Sequence, residues 1–235
     1  MKKIIFSIIA FCNAFSAFAV EYTATLTDAN QVWNIIILNQ GTIPFGGNSG
    51  YVMTSKNNDY IEGSRVYESS TLSTMEFDLS QFKDVDLSSI AKATLTLTPY
   101  YGNSAEVLLC KVIDNSILTG NALSDSQKVN GSFNIPTYYT NIDDEQVVAT
   151  IGSSNLPITI DVTSYVLSLG SFEGTSYLGF TFLVNGSEVS GSGFYGFDAT
   201  KGAVLTLNTA VPEPATYAAI LGALALGLVI WRRQK

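Results

Sequence analysis

Ala93-Thr94-Leu95-Thr96-Leu97-Thr98 (ATLTLT) places an apolar side chain at every second position and a threonine between each. A helix would scatter these residues around its axis. A strand sends successive side chains to opposite faces, so Ala93, Leu95 and Leu97 share one face and the threonines share the other. The stretch reads as a strand with one buried and one wetted face, and the β-branched threonines favour that state.

The neighbouring segments follow the same grammar. Leu72 to Leu79 (LSTMEFDL) alternates Met75, Phe77 and Leu79 against Glu76 and Asp78. Val32 to Leu38 (VWNIIIL) is a β-branched apolar run that suits a buried strand, with Trp33 in the core. Ala105 to Ile113 (AEVLLCKVI) follows Gly102-Asn103, which reads as a hairpin turn. Further strands are expected at Val147–Ile151, Ile158–Ile160, Leu178–Val184, Gly193–Phe197 and Ala203–Leu207, with a turn signal at Asn185-Gly186. One short helix is expected over Val162–Leu169, capped by Asp161 and stopped by Gly170. Gln40–Gly63 and Asn115–Glu145 read as long loops. Many short strands without a βαβ rhythm predict an all-β fold, an antiparallel jelly-roll β-sandwich over residues 20–210.

Both ends read as addresses. Met1-Lys2-Lys3, the apolar run Ile4–Ala10, and small residues at Ala17 and Ala19 form a signal peptide over residues 1–19. Cleavage by signal peptidase before Val20, after Sec export, is the expectation. At the other end, Ala215 to Trp231 carries no charge and is followed by Arg232, Arg233 and Lys235. This predicts a single C-terminal transmembrane helix with its basic end in the cytoplasm. At 1.5 Å per residue its 17 residues reach about 25 Å, against a hydrocarbon core of about 30 Å. Val211-Pro212-Glu213-Pro214 holds the chain extended just before it, in a form a peptidase can grip.

Pro212-Glu213-Pro214, an apolar helix and then Arg232-Arg233, over residues 211–235, resembles the PEP-CTERM sorting signal of Gram-negative bacteria. The resemblance implies recognition by an exosortase, a membrane transpeptidase-like enzyme, and removal of the helix. It also implies passage through the inner membrane to a cell-surface or exopolysaccharide-associated fate. In the body, Phe77-Asp78-Leu79-Ser80 and Ile90 to Leu97 (IAKATLTL) resemble the front of the DNRLRE-type extracellular domain. Asp161 to Val166 (DVTSYV), Leu178 to Phe182 (LGFTF) and Ala203 to Leu207 (AVLTL) resemble its back half. That family is a jelly-roll sandwich often grouped with carbohydrate-binding modules. This chain departs from it at Met75-Glu76, where a basic residue is expected.

Charge and composition narrow the chemistry. Between the two ends stand seven basic residues and nineteen acidic ones, a net charge of −12. This argues against nucleic acid, and against membrane contact except through the C-terminal helix before processing. Cys12 leaves with the signal peptide, so Cys110 has no disulfide partner and reads as a buried strand residue. The chain has no histidine, which excludes a Ser-His-Asp triad, a Cys-His dyad and His-ligated zinc.

Four tyrosines are the candidates for stacking on sugar rings: Tyr100 and Tyr101 beside a turn, and Tyr138 and Tyr139 in the second long loop. Asn57 with Asp59, and Asp143, Asp144 and Glu145, are oxygen-rich clusters of the type that suits structural calcium, without EF-hand spacing. No other cofactor is expected. Gly191 to Gly196 (GSGFYG) matches the dinucleotide pattern GxGxxG, but no helix opens after it, so it reads as a glycine-rich turn. Paired carboxylates could hydrolyse glycosides, yet no pair among nineteen is singled out. The reading is therefore a non-catalytic polysaccharide-binding or matrix protein, with a glycoside-acting enzyme and a purely structural or adhesive role as alternatives.

Overall fold

The computed structural model describes residues 19–28, 31–38, 41–42, 47–48, 50–62, 65–101, 105–112, 147–185, 190–210 and 214–233. Side chains are described at these positions except 35–38, 41–42, 47–48, 56–62, 65–70, 101, 190, 214–221, 223 and 233. The described chain is all-β apart from short helical pieces and one C-terminal helix, and its strands pair antiparallel.

The opening stretch lies in β7 (Ile90–Leu97), with Ala93, Leu95 and Leu97 fully buried and Thr94 and Thr96 half-buried. β7 sits in a four-stranded sheet with β1 (Glu21–Thr25), β11 (Ile158–Asp161) and β14 (Val204–Thr209), in the order β1-β14-β7-β11. The larger sheet runs β10 (Val147–Ile151), β9 (Val107–Lys111), β12 (Tyr177–Val184), β6 (Arg65–Asp78), β5 (Tyr51–Glu62), β13 (Ser190–Tyr195) and β8 (Pro99–Tyr101). β2 (Val32–Leu38) pairs with β6, and the two-residue strands β3 (Gly41–Thr42) and β4 (Gly47–Asn48) pair with β2.

Four antiparallel pairs nest inside one another along the chain: β1 with β14, β6 with β12, β7 with β11, and β9 with β10. The first and third pairs lie in the small sheet, the second and fourth in the large one. Inward residues of both sheets form one core: Leu95, Leu97, Leu205 and Leu207 from one, Phe77, Leu109, Phe180 and Phe182 from the other. Two apolar faces burying each other give a sandwich-like arrangement.

The helix α1 (Thr163–Ser168) closes one end. Asp161 Oδ1 accepts from the Thr163 N–H at 2.9 Å, and Gly170 follows at φ +71°, as its sequence requires. Buried Tyr165 donates its hydroxyl to Gly179 O at 2.9 Å, with Val112 O at 3.2 Å. Cys110 is fully buried, and desolvation pushes its thiol up to about 11. Trp33 is buried as well.

Five expectations change. Gly102-Asn103 does not join two paired strands: β8 and β9, on either side of it, both lie in the large sheet, but β8 pairs with β13 while β9 pairs with β10 and β12. The stretch Gln40–Gly63 is not a long loop: it holds β3, β4 and the twelve-residue β5, which pairs with β6 from Ser55↔Thr71 to Glu62↔Arg65. Glu76 does not face water; β6 lies inside the sheet and Leu72 to Phe77 are all buried. The glycine-rich turn at Gly191–Gly196 is a strand, β13, as far as Tyr195.

The fifth concerns the tail. α2 (Pro214–Arg233) is a twenty-residue helix, but among the described residues no helix is long and apolar enough to cross a membrane. Its last turn carries Arg232 and Arg233, and the uncharged part is shorter than a hydrocarbon core of about 30 Å.

Gly179 shows how tightly the large sheet is packed. A Cβ there would lie 2.6 Å from Val112 Cγ2, whereas a Cβ on Gly152 meets nothing within 4 Å. Gly179→Ala is expected to cost about 1–3 kcal/mol through overpacking, and Gly152→Ala less than about 0.5 kcal/mol. Urea unfolding of both variants, with an unchanged slope, checks the difference.

Candidate functional site

Tyr51 opens β5 and Tyr195 closes β13, and the two residues pair directly across the ladder. The adjoining edge strand β8 is out of step. Pro99 opposes Phe194 and Tyr101 opposes Gly193, two steps on β8 against one on β13. Tyr100 is thus the extra residue of a β-bulge, a device that re-aims a side chain at a sheet edge. Its ring stacks on Tyr51 with centroids 4.0 Å apart and planes at 24°. Tyr195 meets Tyr100 edge-on at 5.2 Å and Tyr51 at 5.7 Å. Tyr100 remains 43% exposed, while Tyr51 and Tyr195 are half-buried.

Two local arrangements hold this cluster. Beneath it, Asn34 and Ser73 replace ladder bonds where β5 parts from β6. Asn34 Nδ2 donates to Tyr51 O at 3.1 Å, and the Met53 N–H reaches Ser73 Oγ at 2.9 Å and Asn34 Oδ1 at 3.2 Å. The Ser73 hydroxyl also lies against Asn34 Oδ1 and Met53 O. Both side chains are buried and satisfied, so they fix the start of β5 rather than weaken it.

Beside the cluster, residues 198–202 form a turn. Asp198 Oδ1 accepts from the N–H groups of Thr200 and Lys201, each at 2.8 Å, and from Thr200 Oγ1 at 3.0 Å. A Cβ on Gly202 would lie 2.5 Å from Asp198 O, so only glycine fits. The turn carries Lys201 Nζ to 5.2 Å from the Tyr195 ring centroid.

The electrostatics follow from these contacts. The Thr200 and Lys201 N–H groups, with the Thr200 hydroxyl, hold the Asp198 carboxyl below its ordinary range. Tyr51 is pushed up, chiefly by the neighbouring Tyr100 phenol, then by burial, Tyr195 and Asp198. The result is a partly exposed aromatic surface with an ionised carboxylate and an ammonium at its rim. Such a surface can stack on an apolar ring face and offer charged hydrogen-bond partners. A carboxylate held low is a poor proton donor.

A second concavity, of about 300 Å³, lies between Lys111, Val148, Asp161 and Ser164, with Tyr165 beneath Lys111 Nζ at 5.7 Å. Thr163 hydrogen bonds hold the Asp161 carboxyl low as well.

Of the sequence candidates, Tyr100 stands at the centre of the cluster. Tyr101 lies in β8 with its side chain outside the described set, and Tyr138 and Tyr139 fall outside the described residues. Asn57 and Asp59 belong to β5, where the register shifts between Asn57 and Tyr60, so they stand in a strand and not in the loop expected for calcium. Asp143, Asp144 and Glu145 lie outside the described residues. Among the described residues, no three acidic, cysteine or histidine side chains gather as a metal site. Ala17, Pro212 and Glu213 are likewise outside; Pro214, Arg232 and Arg233 are in α2, and Arg232 is exposed. Ala19 is exposed, and Val20 donates its N–H to Thr209 Oγ1 at 2.8 Å.

Sequence reasoning missed Tyr51, Tyr195, Asp198 and Lys201. The usable signal was the alternation of Gly191, Gly193 and Tyr195 on one face of a strand. No protein-family model matches the chain, and no curated protein matches it.

The low carboxyl of Asp198 makes a pH prediction. A group depressed in the fold adds stability above its unfolded value, near 3.9, and loses it as pH falls through the folded value. Asp198→Asn is therefore expected to melt below the parent at neutral pH, with the gap closing as pH falls below about 4. Thermal denaturation across that range reads the convergence.

Proposed function

We propose that this is an exported bacterial surface protein that binds polysaccharide through the cluster of Tyr51, Tyr100 and Tyr195 and performs no chemistry on it. The observation that carries the reading is Tyr100, re-aimed by a bulge and left 43% exposed while stacked on Tyr51. A tyrosine used only to fill a core would be covered; this ring keeps a wetted face of the kind sugar rings stack on. Asp161 and Asp198, the carboxylates beside the two concave or aromatic surfaces, are both held low. That favours binding over hydrolysis needing a protonated acid.

The body is read as a jelly roll. The nested pairs β1–β14, β6–β12, β7–β11 and β9–β10 are what a long hairpin gives when rolled into two sheets, and β2 to β5, β8 and β13 extend that frame. The tail is read as a sorting signal. α2 exposes Leu224, Leu226, Val229, Ile230 and Trp231, apolar surface that favours membrane contact in transit. An exosortase then acts near Pro212-Glu213-Pro214, after signal peptidase has cut before Val20, and the body joins the cell surface or its exopolysaccharide.

Two measurements test this. On a polysaccharide array, Tyr100→Ala is expected to weaken binding about tenfold or more. Leu156→Ala, at a residue 73% exposed, should leave binding unchanged. Binding that survives Tyr100→Ala at full strength, or no binding to any glycan, counts against the reading. The intact mass of the surface form should lack Trp231, and a product running to Lys235 contradicts the sorting role.

A further inference from the structure

The same tyrosines carry an inference that does not depend on a glycan. Tyr51 and Tyr100 are 49 positions apart in sequence, yet their rings overlap face to face at 4.0 Å and 24°. At that separation carbons of one ring sit within van der Waals contact of the other, about 3.5–4 Å. Tyr195 meets both rings tilted or edge-on, at 57° and 79°. Of the three pairs in this cluster, Tyr51–Tyr100 is the one whose ring planes overlap face to face. Tyr100, 43% exposed, opens the pair to an external oxidant.

We propose that Tyr51 and Tyr100 are an oxidative cross-linking site, joined as a dityrosine by an extracellular haem peroxidase using hydrogen peroxide. Each phenol gives up one electron and its hydroxyl proton. The two radicals couple through ring carbons ortho to oxygen, forming one carbon–carbon bond. The hydrogens on those carbons then move to the oxygens and restore both phenols. The two hydrogen atoms lost overall reduce one peroxide to two waters. No leaving group or further reductant is needed.

The fold gives the bond a use. β8 has three residues and is held to β13 by a bulged register. A Tyr51–Tyr100 bond ties this edge strand to β5 across β13. Cys110, fully buried and free, offers no disulfide to do so. A cross-link closing a loop of this length restricts the unfolded chain and so favours the folded one.

The test oxidises the full chain at low concentration with a haem peroxidase and hydrogen peroxide, without glycan. The expected product is a monomer lighter by two hydrogen atoms, with dityrosine fluorescence and a linked peptide joining the segments that hold Tyr51 and Tyr100. Tyr51→Phe and Tyr100→Phe keep the stacked rings and should each abolish that peptide and cut the emission several-fold. Tyr195→Phe should leave both. The proposal is overturned if emission is unchanged in Tyr100→Phe, if product forms only between chains, or if urea-unfolded protein gives the same linked peptide in equal yield. None of these outcomes depends on sugar binding, so the two readings fail separately.

Discussion

The fold depends on what Phe180 touches. Its ring meets Phe77 edge-on at 6.3 Å and Tyr165 edge-on at 5.4 Å, so β12, β6 and α1 converge on one fully buried side chain. Tyr165 then ties α1 to the large sheet through Gly179 O and Val112 O. α1 is tied to the small sheet as well. Thr163 Oγ1 exchanges hydrogen bonds with both backbone groups of Ala93, and the Val162 N–H reaches Ala93 O. One short helix thus locks both layers at one end of the sandwich. Its six residues could not hold a helix alone. Burial supplies what propensity does not, at about 1.5–3 kcal/mol for each large apolar side chain removed from water.

That lock explains which parts of the fold were legible in sequence. β7 and β14 each have one face on the core and one partly wetted, and their alternation survives in the residues. β12 runs as an apolar stretch because it is covered, and β2 is buried over Val32 to Asn34; these too could be read. β5 could not. Asn57-Asn58-Asp59 carries poor strand formers, and the strand exists because β6 pairs with it on both sides of the register shift at Asn57–Tyr60 while β13 pairs with its first half. The partners of β8 and β9 were hidden for a related reason. Gly102-Asn103 announces a turn, but a turn signal does not say which strands its neighbours pair with: β8 joins β13, and β9 joins β10 and β12. At the C-terminus, Arg232 and Arg233 read as the far side of an apolar span, while the helix itself runs on through both.

The candidate site was legible only at Tyr100. Tyr51, Tyr100 and Tyr195 come together because β13 is inserted between β5 and β8, and no local pattern encodes that insertion. Two details then decide the geometry. Gly193, buried and paired with Met53, has no side chain on the face it shares with Tyr195. The bulge turns Tyr100 out of the β8 alternation. A reader of the sequence sees a GxGxxG match and a Tyr-Tyr pair, each with a duller explanation. The fold makes one surface of them.

The edge position links stability to use. A bare sheet edge invites pairing with another chain, and short strands, prolines and bulges are the usual protections. β8 has all three: three residues, Pro99 without a backbone donor, and a register shift at Tyr100. The bulge that spoils the edge as a template for a further strand is also what turns a tyrosine outward. The aromatic surface is therefore not added to a finished sandwich. It follows from ending the sheet safely, and it sits where an extended polymer could approach without meeting another strand.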